Sequence, residues 1–226
     1  MNLATLIRDE LCFLTFRDLG PQVRTHPGWY LSFGLFFTLL AGIGRYWDNP
    51  RAAVWQSLGL GSIAYVFVLA LVLWPVLAPL RPKNWSYRTV VTFIALTSPP
   101  ALLYAIPVER LFDLETARAI NAWFLAVVAA WRVALLAVFL TRVAGLQAGA
   151  AAVGTLLPLA LIVVVLARLN LEHVVFDLMR GIRPEMRTGN DSAYGVVIQL
   201  SLLCILASPF LIVAYLIQVY VAWRDA

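Results

Sequence analysis

Six long apolar runs, separated by short polar connections, constrain this chain more than any other feature. They cover roughly 29–46, 54–80, 89–108, 119–141, 145–167 and 195–223. A helix crosses a hydrocarbon core of about 30 Å with about 20 residues. Inside that core each backbone N–H and C=O must be satisfied within its own segment, so runs of this length fold as helices. The expected fold is all-α, a polytopic membrane bundle of about six transmembrane helices. Composition agrees: of 226 residues, 62% are hydrophobic and 13% charged, where a soluble domain carries about 25% charged residues. Too few polar side chains remain to coat a soluble globule, which excludes a soluble enzyme, a coiled coil and a disordered chain.

The chain divides into residues 1–28, read as an amphipathic interfacial segment, and residues 29–226, read as a six-span domain. In the first, Leu3, Leu6, Ile7, Leu11 and Leu14 recur at helical spacing while Arg8, Asp9 and Asp18 lie largely off that face. That pattern fits a helix lying in the membrane surface, not a secretory leader, since charges interrupt the stretch. Gly20-Pro21 ends it. A second interfacial helix is expected at about 169–181, where Leu171, Val174, Val175 and Leu178 form a stripe.

The formal charge is +5, from 17 basic and 12 acidic residues, and the basic residues sit in short clusters between the runs. Such clusters anchor to anionic headgroups, so the expected partners are membrane lipids and not nucleic acid. Only Lys83 among the 17 is lysine, a composition that points to a bacterial inner membrane. The connection with Arg81, Lys83 and Arg88 and no acid places itself and both termini in the cytoplasm by the positive-inside rule. Cys12 and Cys204 read as free thiols. His26 and His173 lie outside the runs, so no metal site and no cofactor is expected.

Arg132 stands near the middle of the fourth run. A charge at that depth costs at least about 2.5–3.5 kcal/mol, so it must face the bundle interior or water. No Asp or Glu lies in the core of a run. The expected partners of Arg132 are carbonyls freed by proline, above all those of Ala95 and Leu96, with Ser98 and Asn121 nearby, or a bound anion. Asn121, 11 residues earlier, shares its helical face. Helix kinks are expected at Pro75, Pro99, Pro100, Pro158 and Pro209, because each lacks an N–H for the ladder. The strings ALTSPPALLYAI and ILASPFLIVAYLI look alike and raise a three-plus-three inverted repeat. Ser57/Gly61, Gly145/Gly149 and Ala150/Gly154 are spaced for close helix packing, internal or between subunits of a homo-oligomer or with another membrane protein.

In the fourth and fifth runs, Trp131, Arg142, Gly145-Leu146, Gly149 and Ala151 resemble the Yip family, the Ypt/Rab-GTPase-interacting membrane proteins and their bacterial relatives. The prolines of FIALTSPPALLYAI look similar to the family's third span. Asp18-Leu19-Gly20-Pro21 is similar to the family's Asp-Leu-Tyr-Gly-Pro entry motif, without its tyrosine. The family pattern has five spans, where six runs are counted here. The resemblance implies a Yip-like, non-catalytic protein that organises membrane, lipid or partner proteins. The residues alone leave two alternatives open: a small transporter or channel for an anion, solute or lipid, and, least favoured, a membrane-embedded lipid-modifying enzyme.

Overall fold

A computed structural model describes residues 2–17, 22–47, 53–169 and 192–224. The described residues are helical, and five helices are long and apolar enough to cross a membrane, as a multi-pass membrane protein requires. In chain order the helices are α1 (Leu3–Leu14), α2 (Gln22–Thr25), α3 (Pro27–Tyr46), α4 (Val54–Ser57), α5 (Leu60–Leu77), α6 (Tyr87–Leu96), α7 (Leu114–Val138), α8 (Ala148–Arg168) and α9 (Ser192–Arg224).

The third apolar run departs from a simple span. It is an α-helix only as far as Leu96, breaks at Thr97–Ser98, and continues as a 3-10 segment over Pro99–Ala105. Two successive prolines remove two successive donors, and the tighter i→i+3 winding is what remains. The run still joins the two ends of the bundle. At one end Trp85 donates to the Trp74 carbonyl at 2.9 Å, and at the other Trp47 donates to the Ala105 carbonyl at 3.2 Å. The single prolines Pro75, Pro158 and Pro209 lie inside α5, α8 and α9. The two similar strings take different backbones: Ser98-Pro99 opens a 3-10 segment, whereas Ser208-Pro209 sits within a continuous helix.

The second run is interrupted as well. Val54–Ser57 forms its own turn of helix, and Gly59 at φ 70° redirects the chain into α5. Ser57 and Gly61 consequently do not share a helix face, and Gly61 instead lies against the Trp55 ring. Gly42 and Gly59 replace that motif: a Cβ on Gly42 would stand 2.8 Å from the Gly59 Cα. Glycine at both positions lets α3 meet the α4–α5 corner backbone to backbone.

The end of α9, the end of α1 and the Arg81–Arg88 connection lie at one end of the bundle. The Lys83 N–H donates to the Ala144 carbonyl at 2.8 Å, Trp223 donates to the Pro79 carbonyl at 3.1 Å, and Arg81 stacks on the Trp223 ring. At the opposite end Asp113 caps α7 by accepting from the N–H groups of Glu115 and Thr116. The interfacial helix expected at about 169–181 falls, after Leu169, outside the described residues, as do Asp18–Pro21 and His173.

The main core joins α3, α5, α6, α7 and the turn after α7 through Tyr30, Val66, Leu77, Val90, Leu96, Leu135 and Leu140. α3 and α6 touch most closely at Gly34, where an added Cβ would meet the Ala95 carbonyl carbon at 2.6 Å and the Leu96 nitrogen at 2.8 Å. Backbone cannot move aside as a side chain can. Gly34→Ala is expected to cost about 1–3 kcal/mol and to lower the melting temperature in detergent by several degrees. Gly149→Ala meets only the flexible Gln218 amide, and its melt should stay near the parent's. Equal melts for the two variants would refute this placement of α6.

The amphipathic N-terminal helix is present, with its faces distributed differently from expectation. Leu3 and Leu11 are 61% and 58% exposed, and Ile7 is exposed beside them. The adjoining face is buried against the bundle and consists of Leu6, Asp9, Glu10 and Phe13. The leucine stripe thus points outward, free to meet lipid, and two carboxylates point inward.

Candidate functional site

α6 breaks at the depth where α7 presents Arg132, and a cavity of about 270 Å³ opens beside that break. Its inner wall holds Thr38, Ser98 and Arg132, and its outer part holds Arg45, Tyr46, Trp55 and Gln56. The latter residues belong to the end of α3 and to α4, so the cavity runs from that end of the bundle toward its middle. The Gly42–Gly59 approach forms one corner.

Each guanidinium is held from one side. Arg132 Nε donates to the Thr97 carbonyl at 3.0 Å. That oxygen is available for a specific reason: Pro100 has no N–H, and the Ala101 N–H turns to the Ser98 carbonyl at 2.9 Å. The expected acceptor Ala95 is corrected here, because its carbonyl is taken by the Ser98 N–H at 3.1 Å. Arg45 stacks over the Tyr104 ring, 4.7 Å from its centroid, and its Nε is buried without a hydrogen-bond partner. Ser98 and Thr38 share a hydroxyl hydrogen bond of 2.7 Å, and the Thr38 hydroxyl also donates to the Gly34 carbonyl.

Among the described residues, none of those lining the cavity is an Asp or Glu. Two like charges beside a shared, partly enclosed volume repel each other, and their attraction for an anion is stronger there than in water. Planar guanidinium groups offer paired N–H donors suited to phosphate or carboxylate. The hydroxyls and the Gln56 amide add neutral polar groups. Such an arrangement has the charge and the donors to attract an anion.

Of the three residues expected at the site, Arg132 and Ser98 meet there. Asn121 does not: it stands about 16 Å away along α7 and is half-buried with contacts of its own. Arg45 was not anticipated. Its signal was present in the sequence, as a basic residue inside the first apolar run, one position before its end and next to Gly44. Asp9 and Glu10 were also passed over, because a carboxylate beside a leucine stripe reads as the wet face of an interfacial helix. Asp9 accepts a 2.5 Å hydrogen bond from the hydroxyl of Tyr30, whereas neither carboxyl oxygen of Glu10 has a partner.

The positions that carry the family resemblance have visible structural roles. Trp131 donates to the Leu14 carbonyl at 2.9 Å, and Arg142, in a π-helical turn after α7, donates to the Phe16 carbonyl at 2.6 Å. Together they fasten the end of α1 to the bundle. Gly145, at φ 66°, turns the chain toward α8 and packs under the Lys83 side chain. Comparisons with protein-family models, curated proteins and solved structures give no match for this chain.

Proposed function

We propose that this is a non-catalytic multi-pass membrane protein that binds a phosphate-type anion in the Arg45–Arg132 cavity, as a small transporter, channel or lipid-handling protein would. One observation carries the reading: two guanidinium groups line one cavity with no carboxylate among its described residues, and one of them keeps a buried, unpartnered N–H. A purely structural arginine pair has no need of that cavity, and a packed bundle avoids leaving a buried donor without a partner. We place the protein in the bacterial inner membrane, with the Arg81–Arg88 connection and both termini in the cytoplasm. A cysteine at Asn84 that labels only from outside would reverse that orientation.

A second reading is a Yip-like organiser of membrane or partner proteins. It is favoured by the use of Trp131 and Arg142, two residues of that resemblance, to hold α1 against the bundle.

Native mass spectrometry of the protein in non-ionic detergent tests the first reading. The probes are inorganic phosphate, glycerol phosphate and phosphatidylglycerol, with phosphatidylcholine as the zwitterionic control. Retention of any of the three anionic probes that falls by roughly tenfold or more in Arg45→Gln supports the site. The probe retained tells a free anion from a headgroup. Retention unchanged by Arg45→Gln for all of them would overturn it.

A further inference from the structure

A second cavity, of about 290 Å³, lies at the other end of the bundle, where α1, the start of α3, the start of α6 and the turn after α7 come together. Among the described residues it shares no lining residue with the first. From this cavity we infer a binding site for one ester-linked acyl arm of an anionic phospholipid.

The lining is graded. Asn84, Ser86 and Arg88 form the polar mouth, and no carboxylate accompanies them among the described residues. The floor is apolar and includes Phe93, Leu96 and Phe139. Phe93 and Phe139 stack at 4.2 Å, and Phe13 of α1 meets Phe93 edge-on at 5.9 Å. A cation above an aromatic floor fits an amphiphile with an anionic head and a hydrocarbon tail.

Thr92 narrows the class. Four threonines are fully buried: Thr38, Thr92, Thr97 and Thr155. Three of them donate back to their own helices, to the carbonyls of Gly34, Ile94 and Ala151. Thr92, only 4% exposed, does not, and its hydroxyl oxygen has no partner although the residue lines the cavity. A buried hydroxyl left unpaired costs about 1–3 kcal/mol, so its donor is available to a ligand.

Arg88, Thr92 and Leu96 are spaced four apart and share one face of the α6 helix, each about 6 Å deeper than the last. That sequence reads cation, hydroxyl donor, apolar wall. A glycerophospholipid presents its phosphate, its ester carbonyl and its acyl chain in the same order. An ionised fatty acid has no second acceptor below its head, so it would leave Thr92 unpaired.

Binding of phosphatidylglycerol and of its diether analogue, which lacks the ester carbonyls, tests this by native mass spectrometry with oleate as a third probe. The parent and the Arg45→Gln background are both used, so that a lipid held at the first cavity is not counted. The ester lipid should bind roughly threefold to tenfold tighter than the ether. Thr92→Val, which keeps the side-chain shape, should remove that preference without lowering the melting temperature. Arg88→Gln should weaken both lipids by roughly tenfold or more. Equal binding of ester and ether lipid to the parent, a preference that survives Thr92→Val, or oleate as the tightest ligand would each overturn the assignment.

Discussion

Arg132→Leu is expected to fold, to melt within a few degrees of the parent, and to lose its anionic ligand. Two opposing terms set the stability. Removing a charge from mid-bundle relieves at least about 2.5–3.5 kcal/mol of insertion cost. Against this, the Thr97 carbonyl loses its donor, at about 1–3 kcal/mol for a buried acceptor left unpaired. The terms are of similar size, so the fold survives. Binding has no such compensation, because the remaining guanidinium, on Arg45, approaches the cavity from its outer part alone. Arg132→Lys keeps the charge without the planar fork and should retain a fraction of the affinity. Thermal melts read beside native mass spectra separate the outcomes. A well-folded Arg132→Leu that holds phosphate and phosphatidylglycerol as the parent does would eliminate the anion site.

The second large effect belongs to Glu10. Burial against the bundle pushes its carboxyl up to about 8, and neither oxygen has a hydrogen-bond partner. The nearest charged groups on its own helix are Asp9, engaged by Tyr30, and the exposed Arg8, 3.8 Å from Asp9. The sign follows from linkage. The docked state holds a proton that the undocked state releases near the ordinary value of 4.5. The stability of docking is therefore complete below that value and is lost as pH rises through about 8. Between pH 7 and 9 the undocked fraction of α1 should grow roughly tenfold. Cys12 lies on α1 and reports this directly once Cys204 is replaced by alanine. Its maleimide labelling rate, divided by the rate in Glu10→Gln, should climb over that interval, since the thiol's own pH dependence cancels in the ratio. A flat ratio would show that Glu10 does not control the docking.

The architecture was largely written in the sequence because one physical demand, the satisfaction of backbone groups in hydrocarbon, dominates it. The first, fourth, fifth and sixth runs appear as helices within a few residues of the expected ends. The second and third runs failed for identifiable reasons. Gly59 allows a left-handed turn that hydropathy does not register, and Pro99-Pro100 act together where each alone would have been absorbed, as Pro75 and Pro158 are. The candidate site was half legible. Arg132 declared itself by its depth, and Ser98 by its place before the prolines. Asn121 shared the right helical face but lay three turns away, a distance that its 11-residue separation already gives. Arg45 stood at a span end, where arginines ordinarily reach into headgroups, and only the packing of Tyr104 beneath it shows that this one turns inward. Glu10 was hidden for the converse reason: the outward leucines were legible and the inward acids were not, because a helix in a membrane protein can carry apolar residues toward lipid and polar ones toward protein.

That inversion bears on the order of assembly. α1 exposes Leu3, Ile7 and Leu11 and buries Asp9 and Glu10. In water it would leave three apolar side chains wet, and pressed into bare lipid it would carry two acids toward hydrocarbon. Neither solvent alone suits it, so its native place exists only at a seam between bilayer and protein. The protein side of that seam is Tyr30 of α3, Phe93 of α6 and Trp131 of α7, the last of them more than a hundred residues downstream. α1 therefore cannot settle until α7 has been inserted, and until then it must wait at the membrane surface.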